Sequence, residues 1–269
     1  MRGACPRVRR GRRAGRLARV HSMIIYGINP VLEALRAGRV RRLRVAARHD
    51  KRMHDVMAAA ATQGVTPESA DAQTLDRLAR GGVHQGVAAD VEDVRDYSVA
   101  DLIAAAARRP ALIVVLDSVE DPHNVGAILR AADAAGASGV VRQARHSATL
   151  DGIVAKASAG ALATARIATV VNVARAIEEL KEGGVWTIGL ADGATDDYTA
   201  VDFTLPTAIV LGAEGSGLRR LVGETCDRLV RIPMAGAVSS LNVSVAAGVV
   251  LYEAALRRRV RGELPISDC

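Results

Sequence analysis

The chain has 269 residues, of which 49% are apolar and only 2% aromatic, and a formal net charge of +7. That length allows one or two domains with a substantial core, built here from Ala, Val, Leu and Ile, and no apolar run reaches the ~20 residues needed to span a bilayer. The charge decides little. Eight of the 36 basic residues and none of the 29 acidic ones fall in positions 1–22, leaving 28 basic against 29 acidic residues in a nearly neutral body; electrostatics alone therefore does not make this an RNA-binding protein.

Positions 1–22 lack apolar periodicity and the apolar core of a secretory signal. They read as a disordered extension or a misassigned start, with Met23 opening the folded protein. Cys5, Cys226 and Cys269 are few and scattered, which fits a reducing cytoplasm with no disulfide framework and no metal site. His49 and His54 read as surface residues.

Residues 23–91 predict a small α/β unit. Ile24 to Tyr26 is a short strand. Asn29-Pro30 opens a helix, Asn as cap and Pro in the first turn, and Gly38 stops it. A strand over Leu43 to Ala46, a helix capped by Asp50 and running to Thr62, a helix over Asp71 to Ala79 and a strand over Gly86 to Val91 complete the unit. The stretch Arg36 to Arg52 is the densest basic cluster outside the N-terminal tail and the best candidate in the folded body for contacting phosphates.

A linker at 92–110 holds a polar segment and an alanine-rich helix. Beyond it, residues 111–260 alternate strand and helix: strands at Ala111–Leu116, Val140-Val141, Val185–Leu190, Ala208–Leu211 and Leu229–Ile232, with helices at Asn124–Ala135, Val173–Leu180 and from Asn242 to Arg259. Residues 261–269 form a tail. Continuous apolar strands alternating with helices predict a doubly wound parallel sheet, whose ligands sit beyond the carboxyl ends of the strands.

Three strand-end segments carry the chemistry. The first is Asn124-x-Gly126 followed by Arg130; Gly126 in a first helical turn costs ~1 kcal/mol against Ala, so something is expected to approach the backbone there. The second, Leu211-Gly212-x-Glu214-x-x-Gly217-Leu218, is glycine-rich but is neither GxGxxG nor a nucleotide-hydrolase loop, and Glu214 is expected among backbone N–H groups. The third, Ile232-Pro233-Met234-x-Gly236-x-x-Ser239-Ser240-Leu241-Asn242-Val243-Ser244, is a strand end, a small-residue loop and a capped helix N-terminus. Gly248, in the middle of that last helix, predicts close packing at a dimer contact, and the arginines at 257–259 and 261 read as finishing the helix at its negative end.

In this order and spacing the three segments resemble the motifs of SpoU-type RNA ribose 2′-O-methyltransferases over residues 23–260, and His84 to Val87 and Asp121-Pro122-His123-Asn124 resemble the group acting on a guanosine in the peptidyl-transferase region of 23S ribosomal RNA. The resemblance implies S-adenosylmethionine as methyl donor, structured RNA as substrate, a homodimer, a C-terminal domain threaded as a trefoil knot, and a ribosomal-protein-like RNA-binding module at 23–91. It places the donor against Gly212, Ile232, Met234 and Leu241, and the catalytic set at Asn124, Arg130, Glu214, Ser240 and Asn242. A guanidinium stays protonated in almost every protein environment. Arg130 is therefore expected to grip the target phosphate and lower the hydroxyl pKa, with the other four orienting the ribose. The rival readings are a knotted methyltransferase acting on transfer RNA, at the base or the ribose, a catalytically silent ribosome-assembly factor, and a dinucleotide dehydrogenase, which the absent GxGxxG disfavours.

Overall fold

The computed structural model describes residues 22–47, 50–92, 96–107 and 109–262. The expectations for the N-terminal extension, Cys5, His49 and Cys269 therefore lie outside the described residues.

The first unit runs β1 (Ser22–Tyr26), α1 (Ile28–Arg36), β2 (Val40–Val45), α2 (Lys51–Thr62), β3 (Pro67–Ser69), α3 (Ala72–Ala79) and β4 (Val87–Glu92). Its sheet has the order β1-β4-β2-β3, antiparallel except for the parallel β2–β3 pair. Asp50 caps α2 through its side chain, as the sequence indicates, and Asp71, expected as the first residue of α3, is its side-chain cap instead. Asn29 does not cap α1. The cap is Gly27, at φ 93°, and the first free N–H, that of Ile28, donates to Gln85 Oε1 at 3.0 Å. The acceptor for that N–H thus comes from a residue 57 positions away, which no local pattern announces. Strand β3 was not expected either, since Pro-Glu-Ser has little strand propensity and is held by its pairing with β2.

The second unit contains α4 (Val99–Ala105), β5 (Leu112–Leu116), α5 (Pro122–Ala134), β6 (Gly139–Gln143), α6 (Gly152–Ala157), α7 (Ala161–Thr164), β7 (Ile167–Val170), α8 (Val173–Glu182), β8 (Trp186–Leu190), β9 (Asp196–Asp197), β10 (Thr207–Leu211), α9 (Arg220–Thr225), β11 (Arg228–Arg231) and α10 (Val243–Val260). All seven strands pair in parallel in the order β7-β6-β5-β10-β8-β11-β9. Alternation along β5 explains how a continuous apolar run serves two faces. Leu112, Val114 and Leu116 join one core with α5 and α10, while Ile113 and Val115 join another with α4 and α8. The first core continues into the small unit through Ile25, Val31, Leu35 and Leu43. The join is close: a Cβ on Gly152 would stand 2.3 Å from the Tyr26 ring, and one on Gly160 2.3 Å from Glu33 Cγ.

Several local expectations change. Helix α5 starts at Pro122 with Asp121 as its cap, which places Asn124 inside the first turn. The neighbour that Gly126 admits is a second helix, since a Cβ there would stand 2.4 Å from Ala157 Cβ of α6. Among the described residues outside its own helix backbone, nothing lies within 4 Å of where a Cβ on Gly248 would stand. Arg257 and Arg258 do more than finish a helix. Arg258, 3% exposed, donates to the carbonyls of Phe203, Leu205, Pro110 and Ala111, and Arg257 to those of Thr199 and Val201, so together they pin the end of α10 to the segments feeding β5 and β10. Among the described residues no helix is long and apolar enough to cross a membrane.

Candidate functional site

The carboxyl ends of β5, β10 and β11 lead into the three motif segments, and the topology that makes β5 and β10 neighbours brings the first two side by side. The first segment, Asn124 to Arg130, is entered through the loop Asp117–Asp121. Asp117 is fully buried and is held by Arg219, just past the second segment, whose N–H and Nε donate to its two carboxylate oxygens at 2.9 and 2.7 Å. The second segment, 212–217, closes on itself through reciprocal backbone bonds between Ala213 and Gly217. Gly212 is obligatory there because a Cβ would stand 2.1 Å from the Gly217 carbonyl carbon. The third segment ends at Asn242, whose Oδ1 accepts from the Ser244 N–H at 2.9 Å and so caps α10.

The three meet at one carboxylate oxygen. Glu214 Oε1 accepts from Asn124 Nδ2 at 2.8 Å and from Asn242 Nδ2 at 2.6 Å, and Asn242 Nδ2 also reaches Asn124 Oδ1 at 3.0 Å. Glu214 was expected among backbone N–H groups; its partners are two side-chain amides instead. The starting residue of α5 explains this, because with Asp121 as cap the amide of Asn124 is free to span to Glu214. Glu214 Oε2 has no hydrogen-bond partner among the described residues.

Two cavities flank this cluster. The first, of about 510 Å³, is lined by Gly212, Ile232, Met234, Ser240, Leu241 and Asn242 among others. It falls within the roughly 300–1,000 Å³ typical of small-molecule sites. The second, about 580 Å³, opens among Ser118, Glu120, Asp121, Asn124, His146 and Arg219. Glu214, Ala213 and Gly217 line both. Asn242 thus faces one cavity, Asn124 the other, and Glu214 the boundary between them.

The structure therefore brings together eight of the nine sequence-derived site residues, Asn124, Glu214, Ser240 and Asn242 with Gly212, Ile232, Met234 and Leu241. Arg130 stands apart. It is exposed on α5 and lines neither cavity. Sequence reasoning missed the Asp117–Arg219 latch. Its only signal was an acid at the end of an apolar strand, where burial without a partner is costly. Among the described residues no group of three metal-binding side chains occurs. Burial pushes the Cys226 thiol up to about 12, which leaves it unreactive at neutral pH.

Comparison with known proteins assigns both units. Residues 111–252 match the SpoU rRNA methylase family, and residues 24–97 match the RNA 2′-O ribose methyltransferase substrate-binding family. The 23S rRNA (guanosine-2′-O-)-methyltransferase RlmB of Ralstonia nicotianae is 48% identical over 80% of this chain and 86% of its own. The putative TrmH family tRNA/rRNA methyltransferase YacO of Bacillus subtilis is 41% identical over 92% of this chain and 100% of its own. Among solved structures, the SpoU methyltransferase AviRb of Streptomyces viridochromogenes in complex with AdoMet superposes with a TM-score of 0.74 at 29% identity, over 90% of this chain and 92% of that one.

Proposed function

The chain belongs to the SpoU rRNA methylase family, and from that premise we propose that it transfers a methyl group from S-adenosylmethionine to the ribose 2′-hydroxyl of a guanosine in 23S ribosomal RNA. The observation that carries this reading is the convergence of Asn124, Glu214 and Asn242 on one carboxylate oxygen between two adjoining cavities. The first cavity suits the donor. Its size fits, its walls combine the apolar Ile232, Met234 and Leu241 with the turn at Gly212, and Ser240 and Asn242 close it on the polar side. When bound there, S-adenosylmethionine supplies an electrophilic methyl group on a sulfonium.

The protein's own contribution is positioning. Holding an acceptor in line accounts for about 7–11 kcal/mol of barrier lowering in well-oriented reactions. The two amides fix Glu214 through Oε1, which leaves Oε2 to accept the hydrogen bond of the ribose hydroxyl. Arg130 lines neither cavity of its own chain, so its role belongs to the homodimer described next: there the partner's Arg130 supplies the positive charge that holds the neighbouring phosphate and eases loss of the hydroxyl proton, while remaining protonated itself. Ser240 and Asn242 complete the orientation of the ribose.

Three finer features belong to the same reading. The first is a homodimer, supported by the exposed apolar stripe of α10, where Val245, Tyr252 and Leu256 are each about half exposed and Gly248 beside them has open space above it. The second is a trefoil knot, supported by the return of α10 onto α5 and β10 after β11 has been laid down beyond β8. The third is a ribosomal-protein-like RNA-binding role for residues 23–91, supported by the family match of 24–97.

The test is to incubate the purified protein with labelled donor and, in separate reactions, 23S ribosomal RNA and transfer RNA, and to map the product by alkaline hydrolysis. One alkali-resistant bond 3′ to a guanosine is expected. A label on a base, a label confined to transfer RNA, or no transfer at all would each overturn the assignment.

A further inference from the structure

The second cavity has no assigned occupant. It adjoins the first along Ala213, Glu214 and Gly217, so an acceptor whose 2′-oxygen meets a methyl group at Glu214 must place the rest of its nucleoside there. The charges around the cavity narrow what fits. Glu120, Asp121 and Glu214 contribute three carboxylates, His146 Nδ1 stands 3.4 Å from Glu120 Oε1, and the positive charge of Arg219 is matched by buried Asp117. An anionic phosphate is repelled by such a wall. A neutral base bearing both donors and acceptors is not.

Guanine has the required pattern, with N1–H and the N2 amino group as donors and O6 and N7 as acceptors. Two exposed side chains of the wall are complementary to it. Glu120 is an acceptor-only carboxylate, and Asp121, beside it, has both oxygens engaged by the His123 N–H and the Asn124 amide. Arg219 is about half exposed, and Asp117 takes its Nε and Nη2, so Nη1 keeps its hydrogens for another acceptor. A guanidinium already fixed by a buried acid loses little freedom on binding.

We propose that the second cavity seats the target guanine, with Glu120 accepting from its N1–H and N2 edge and Arg219 donating to its O6/N7 edge. This rests on the ribose-methylation reading above. The experiment compares kcat/KM on RNA carrying guanosine, inosine (no N2 amino group) or 7-deazaguanosine (no N7 acceptor) at the target, for the wild type, Glu120→Ala and Arg219→Lys. The wild type is expected to lose about 10-fold or more on each analogue. Glu120→Ala should lose most of its discrimination against inosine while keeping that against 7-deazaguanosine, and Arg219→Lys should do the reverse. Each ratio is taken within one variant, so partial misfolding cancels, and Glu120 is a surface residue whose arm stands even if Arg219→Lys fails to fold. A wild type indifferent to both analogues, or variants keeping both wild-type ratios, would overturn the proposal. Absence of any 2′-O-methyl product from the wild type on unmodified RNA would instead remove the reading beneath it.

Discussion

The two units use their polar side chains in opposite ways. In the small unit much of the basic cluster from Arg36 to Arg52 is paired within the protein, at the surface for Arg36 and Arg42 and mostly buried for Arg44. Arg36 pairs with Glu33, Arg42 with Glu68 and Arg44 with both Asp90 oxygens, while Arg39 donates to the Ala163 carbonyl of the other unit. In the large unit the decisive groups are few and nearly neutral in sum, yet three segments up to 118 residues apart aim them at one point. Charge density along a sequence therefore marks a poor guide to a site, because a run of arginines is also what a sheet needs to balance its own acids. Convergence of strand ends is the better guide.

The largest effect expected from breaking this contrast is at Asn124. Asn124→Ala removes one of the two amides that fix Glu214 and leaves the first cavity's lining intact. kcat should fall on the order of 10²-fold, the range for loss of one preorganised hydrogen-bonding group, while donor affinity measured by calorimetry stays near wild type. A comparable loss of donor binding would mean that the cluster supports the donor cavity rather than the acceptor.

Much of this was legible in the sequence, and the limits have physical causes. The parallel sheet follows from apolar strands such as Leu112–Leu116, and the caps of α2 and α10 follow from Asp50 and Asn242. These are local signals, readable within a turn or two. The bond of the Ile28 N–H to Gln85, the burial of Arg258 among four carbonyls and the grip of Arg219 on Asp117 are contacts across 57, up to 148 and 102 positions. Nothing in their own neighbourhoods announces them. The short elements α6, α7 and α9 were missed for a related reason: each has six residues or fewer and is held by packing rather than propensity.

A second prediction tests the other half of the contrast. Arg44 and Asp90 form a two-pronged pair with both side chains mostly buried, at 3.0 and 3.1 Å. Their value lies between that of an exposed pair and a fully buried one. Arg44→Ala should therefore cost about 2 kcal/mol in denaturant unfolding, with methyl transfer per folded molecule unchanged. A loss of RNA affinity without a loss of stability would return Arg44 to the role of a phosphate contact.

The smallest expected effect separates paired from unpaired cations in the same cluster. Lys51 and Arg52 are exposed at the start of α2 and make no ion pair among the described residues. Each phosphate neutralised by a protein cation contributes about 0.7–0.9 to the slope of log affinity against log salt. The double change Lys51→Gln and Arg52→Gln should reduce that slope by ~1–2 and weaken RNA binding a few-fold at moderate salt, leaving kcat alone. Arg36→Gln, which removes a cation already paired with Glu33 at 2.6 Å, should leave the slope near that of the wild type. Equal slopes for the double variant and the wild type would show that the small unit holds RNA by contacts other than this cluster. An equal reduction from Arg36→Gln would show instead that RNA competes successfully with the internal pairs, and the distinction drawn here between engaged and available cations would fail.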